Sequence, residues 1–159
     1  MDEQEKLHSA DVLQREAAAE SLSQMGQDAA PAAVELVNAC ADQETVRQWA
    51  VAALEDLGPP PIDSIQDLTK LVSSSDALAA YWAITLLGRA EEAATACQDE
   101  LSAALNDSSA PSVRERAAWA LGKIRASSPA ATATLENAAN SDQPRLARLA
   151  KNALGRPQI

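Results

Sequence analysis

Three arginines, Arg15, Arg47 and Arg114, hold equivalent places along this chain, and the last two directly follow a valine that opens an apolar stripe. Asp42 and Asp107 stand shortly before Arg47 and Arg114. Guanidinium groups in a row can bind anions, or they can clamp helices by pairing with carboxylates through parallel hydrogen bonds. Recurrence at a fixed register favours the clamp. Each Asp caps or fixes the start of its helix, and each Arg pairs with an Asp of its own or a neighbouring unit. Asp42, Arg47, Asp107 and Arg114 are therefore expected to form a structural ladder.

The other reactive residue types do not assemble into a catalyst. His8 is the one histidine and sits in a polar N-terminal stretch. Cys40 and Cys97 lie in Ala-rich sequence, where a small buried hydrophobe needs no further role. The carboxylate pairs Glu55–Asp56, Glu91–Glu92 and Asp99–Glu100 are chain neighbours, which point in different directions on a helix. A phosphate-binding loop of Walker type and a Gly-flanked serine elbow are both missing. The expectation is no catalytic, metal or cofactor residue. Trp82 and Trp119 are equivalent in register, with Trp49 three positions earlier in its own unit; packing between units is favoured for all three over stacking on a ligand. The adjacent pair Tyr81–Trp82 is the next place for a contact surface.

Composition sets the fold class. The chain has 159 residues, 47% hydrophobic, with no Phe and 3% aromatics, so its core must be built from Ala and Leu. Those residues favour helix, and strand formers are scarce. No apolar run reaches membrane-span length, and the polar start argues against a signal peptide, so a cytoplasmic protein without membrane contact and without a disulfide is expected. The net charge of −10 is uneven: residues 1–110 carry 20 acids and 5 basic residues, net −15, whereas residues 111–159 carry 3 acids and 8 basic residues, net +5.

The elements that must position these residues repeat. Val113, Ala117, Ala120, Leu121 and Ile124 form one stripe of an amphipathic helix. The same offsets return as Val46, Ala50, Ala53, Leu54 and Leu57, and again from Asp76 through Ala80, Ala83, Ile84 and Leu87. Weaker copies lie at Ala18–Met25 and Leu146–Leu154. The central small residues, Ser21, Ala53, Ala83, Ala120 and Ala153, are spaced by 32, 30, 37 and 33. Second apolar helices lie between the stripes, each ending near an Asp: Asp42, Asp76, Asp107, Asp142. Gly26 with Pro31, Gly58 with Pro59–Pro61, Gly88, and Ser127–Pro129 read as the breaks within each pair. Two helices per period of this size indicate an α-solenoid.

"DSSAPSVRERAAWALGKI", "DQETVRQWAVAALEDLG" and "DQPRLARLAKNALGR" resemble HEAT-like repeats, in particular the short variety of phycobilisome bilin lyase subunits. The resemblance runs from about residue 12 to 155. The third copy departs from it, with Ala77 where Arg would stand and almost no turn. The fold expected is all-α, a right-handed solenoid of about four HEAT-like helix pairs plus a C-terminal capping helix, about nine helices. Residues 1–11 would be a polar tail. The domain would span 12–156, with repeats 12–42, 43–76, 77–107 and 108–142 and a cap over 143–156.

The resemblance implies that the second helices line a concave, partner-binding face. There Glu35, Asn38, Asp67, Lys70, Asp99, Glu100, Asn106, Glu136 and Asn140 would point outward, mostly acidic or amide. Such a surface suits a non-enzymatic scaffold that engages a basic segment of another protein. Arg114, Arg116, Lys123, Arg125, Arg145, Arg148, Lys151 and Arg156 form a basic C-terminal patch. That patch leaves two alternatives: nucleic-acid binding or processing with Trp119, and head-to-tail self-association with the acidic end. A bilin-lyase-like subunit and a HEAT-like DNA glycosylase are the enzymatic alternatives the resemblance admits.

Overall fold

The computed structural model describes residues 1–155, and within them every regular element is helical. Ten α-helices follow one another: α1 (Glu3–Lys6), α2 (Val12–Ser23), α3 (Ala33–Ala39), α4 (Glu44–Asp56), α5 (Ile65–Leu71), α6 (Ala77–Arg89), α7 (Gln98–Asp107), α8 (Pro111–Lys123), α9 (Pro129–Ala139) and α10 (Pro144–Ala153). Three 3₁₀ segments, Gly26–Ala32, Ile62–Ser64 and Glu91–Cys97, lead into α3, α5 and α7. The first eleven residues are more than a tail: α1 is closed by a capping box at Asp2, and Leu7 is buried against the stack. The end of the segment expected as a cap, Arg156, lies outside the described residues.

Local chemistry explains most boundaries. Asp11, Asp76 and Ser128 accept backbone N–H groups at the starts of α2, α6 and α9. Pro111, Pro129 and Pro144 occupy first turns, where no amide hydrogen is needed. The long helices α2, α4 and α10 end with Gly26, Gly58 and Gly155 at positive φ. For α6 and α8 that left-handed place is held by Glu91 (φ 53°) and Arg125 (φ 57°) instead. Gly88 is therefore not the expected helix breaker. It lies inside α6 and is buried, and Gly122, half-buried, lies at the equivalent place inside α8.

The stack is an α-solenoid with one irregular junction. α2 packs on α4, α6 on α8 and α8 on α10, while α3, α5, α7 and α9 form the second layer, each against the long helix that follows it. α4 and α6 approach less closely than the other long helices do; α3 reaches α6 directly, and α5 and α7 do not pack tightly as α7 and α9 do. Two sequence features lie at that junction. The triple proline Pro59–Pro61 makes a stiff extended connection before α5. The bulky Trp82 stands in α6 where the other copies place smaller or more exposed residues, and it is buried. α6 is the centre of the core, with Ala79, Ala80 and every residue from Trp82 to Gly88 buried.

Candidate functional site

The irregular junction opens a trough in the second layer between α5 and α7. One cavity of about 440 Å³ is walled by Val72–Ser75 on one side and Glu100, Asp107 and Ser109 on the other. A second, of about 520 Å³, is walled by Ile62, Ile65 and Lys70 opposite Ala93, Ala96 and Cys97. Thr69 and Glu100 border both, so the two are continuous. The N-terminal residues Ala77, Ala80, Ala110 and Val113 of α6 and α8 and their approaches complete the first.

The residues expected on the second-helix face divide into three groups. Asp99 and Glu100 are exposed, Glu100 at the trough, where it is joined by the exposed Asp107 that was expected in the ladder, and among the described residues none of the three has an ion-pair partner. Asp67 is partly neutralised by Lys70 at 3.4 Å on the same helix. The others face elsewhere or are engaged: Glu35 accepts from Gln4 Nε2 at 3.0 Å, Asn106 donates to Thr134 Oγ1 at 3.3 Å, and Asn140 donates to the Glu136 carbonyl at 3.0 Å. Asn38 is exposed on α3.

The ladder takes a different form from the one expected. Asp42 receives Arg15, not Arg47, through Nε at 2.7 Å and Nη2 at 3.0 Å, while Arg15 Nη1 donates to the Ser9 carbonyl at 2.8 Å. The clamp thus joins α2 to the start of the following unit. The bond from Arg15 holds the Asp42 carboxyl below the usual aspartate range, and Asp42 in turn raises Arg15. Arg47 has no such partner: Asp76, in the place Asp42 holds one unit earlier, is the N-cap of α6 instead, accepting from Ala79 N–H at 2.9 Å. Arg114 does not pair with Asp107. Its Nη2 lies 3.5 Å from Gln143 Oε1 and its Nε is buried without a partner.

Sequence reasoning missed a second clamp. Arg89 Nη1 donates to the carbonyls of Leu54 (2.7 Å) and Gly58 (3.3 Å), and Nη2 to that of Glu55 (3.4 Å). These are orphan carbonyls at the end of α4, so one guanidinium spans the loosened α4–α6 junction. Burial lowers its pKa, with a smaller repulsion from Arg116. Its guanidinium also lies 5.6 Å from the Trp82 ring centroid.

The basic C-terminal patch is largely occupied. Arg116 donates to the Tyr81 hydroxyl and stacks 4.6 Å from the Tyr81 centroid and 4.8 Å from that of Trp119. Lys123 meets Glu91 at 3.8 Å, Arg125 meets Glu92 at 3.4 Å, and Arg145 meets Glu115 at 3.2 Å. Arg148 and Lys151 remain exposed on α10. Cys40 and Cys97 are free and buried, and burial pushes both thiols up to about 12, so neither is a thiolate near neutrality. No helix among the described residues is long and apolar enough to cross a membrane.

The HEAT repeat family model matches residues 65–155, from α5 to the end of α10 and more than half of the chain. The chain belongs to the HEAT repeat family. The HEAT stack extends N-terminally beyond that match, through α2, α3 and α4. A search of curated proteins found no match. Among solved structures, an engineered protein aligns with a TM-score of 0.67 at 21% identity, covering 96% of this HEAT chain and 76% of its own. A designed armadillo repeat protein in complex with the peptide (KR)4 gives 0.67 at 16% identity, covering 96% and 79%. Human deoxyhypusine hydroxylase, in complex with glycerol, gives 0.51 at 19%, covering 96% and 82%. At these identities the likeness is one of fold. The match is to HEAT repeats in general rather than to the bilin lyase variety.

Proposed function

We propose that this HEAT-repeat chain is a non-enzymatic protein-interaction module whose trough between α5 and α7 receives a basic segment of a partner protein. One observation carries the reading: the trough is bordered by Glu100 and Asp107, exposed carboxylates without ion-pair partners among the described residues. Their field favours cationic side chains and speeds their encounter. A designed armadillo protein of similar fold holds a peptide of alternating Lys and Arg, which makes that peptide a suitable first probe. The nucleic-acid alternative has less support. Trp119 already carries Arg116 on its ring and Gly88 against its edge, leaving little free face for a base.

The test is a fluorescence titration of labelled (KR)4 against the protein at low and high salt. Binding should weaken roughly tenfold or more as salt rises past the point where the screening length falls to a few ångströms. The double variant Glu100→Lys with Asp107→Lys should bind at least about tenfold more weakly. Salt-insensitive binding, or full affinity in the double variant, would remove the trough from consideration.

A further inference from the structure

We infer that the trough has two chemically distinct ends and takes a partner segment that carries an apolar anchor beside its basic run. This deepens the groove reading above and rests on it. The end toward the start of α5 is carbon-rich. Ile62 is 78% exposed there, Ile65 is half-buried beside it, and Ala93 and Ala96 face them across the cavity. The other exposed large hydrophobic residues, Met1, Leu13 and Met25, lie in the N-terminal region and border neither cavity. An exposed isoleucine at the lip of a cavity offers area that a partner side chain can cover.

The opposite end has buried Val72, Ala80, Ala104 and Val113 beneath it, but its exposed rim is polar and acidic, with Glu100 and Asp107. Two related turns meet across it, Ser73–Asp76 and Asp107–Ala110. In each, a serine hydroxyl is used on its own turn: Ser74 Oγ accepts from Asp76 N–H, and Ser108 Oγ accepts from Ala110 N–H, both at 3.2 Å. Asp76 is spent on its N-cap. Asp107 and Glu100 are left to meet a cation. Lys70 borders only the apolar cavity, where its charge discourages a basic residue, and it does not reach the acidic end. Charge complementarity and the placement of Ile62 therefore give the segment a polarity: apolar at the Ile62 end, basic at the Asp107 end.

Three labelled peptides test this: (KR)4, and (KR)4 extended by leucine at its N-terminus or at its C-terminus. Leucine at one of the two ends should tighten binding about tenfold, the gain from burying one such side chain. Ile62→Ser should abolish that gain, with an unaltered circular dichroism spectrum. If (KR)4 binds but neither leucine adds affinity, or the gain survives both Ile62→Ser and Ala96→Gln, the two-part trough is wrong while the acidic groove stands. If none of the three peptides binds, both fall. A protein that dimerises, and that Ile62→Ser returns to monomer in sedimentation, would have a second copy in the trough and would overturn the proposal.

Discussion

Gly88 of α6 and Trp119 of α8 are in direct contact: a β-carbon on Gly88 would stand 2.3 Å from Trp119 Cζ3. The same register one unit later brings Gly122 against Ala153, where a β-carbon would stand 2.8 Å from Cα. The Leu-Gly pair at the end of these stripes thus serves close approach of successive long helices.

Gly88→Ala should therefore destabilise the protein by about 1–3 kcal/mol through overpacking, despite the better helix propensity of Ala. The clash is with a ring that Arg116 also holds, so it cannot be relieved by a flexible side chain moving aside. Urea unfolding measures the loss. Trp119→Leu should cost less in the Gly88→Ala background than in the wild type, a coupling of the kind that double-mutant cycles isolate.

Glu91 and Arg125 occupy the left-handed position that glycine holds after α2, α4 and α10. A side chain there costs about 1 kcal/mol or more. Glu91→Gly and Arg125→Gly should each stabilise by roughly 0.5–1 kcal/mol, the gain being reduced by the flexibility of glycine in the unfolded chain. The exposed pairs Lys123–Glu91 and Arg125–Glu92 that are lost contribute little. Thermal melts that fall rather than rise would refute this.

Asp42 should make stability depend on acid. Its folded pKa is lowered by Arg15, so its contribution is complete above the unfolded value of about 4 and fades as pH falls through the folded value. Asp42→Asn should melt below the wild type at pH 7, and the gap should narrow steadily as the pH falls below about 4. A constant gap across that range would mean that the charge is not what the variant removes.

Arg89→Met should cost about 1–2 kcal/mol, because the carbonyls of Leu54, Glu55 and Gly58 lose their donor while the aliphatic packing is kept. Hydrogen exchange should rise first at the end of α4 and in α6, where the stack is held by this side chain instead of close helix contact.

The sequence by itself determined the repeat and hence the solenoid. Apolar spacing is a local property, and Ala-Leu stripes at a fixed period can be buried only by stacking helix pairs. What the tertiary structure decided was partnership. Arg15, Arg47 and Arg114 look alike in sequence, yet only Arg15 closes a clamp on an Asp, because Asp76 is spent capping α6 and Gln143 takes Arg114. Gly88 looks like a breaker and is a contact. The trough between α5 and α7 had no local signal either. It lies at the one junction where successive long helices approach less closely, and the distance between two helices is set by what lies between them, which no single helix encodes.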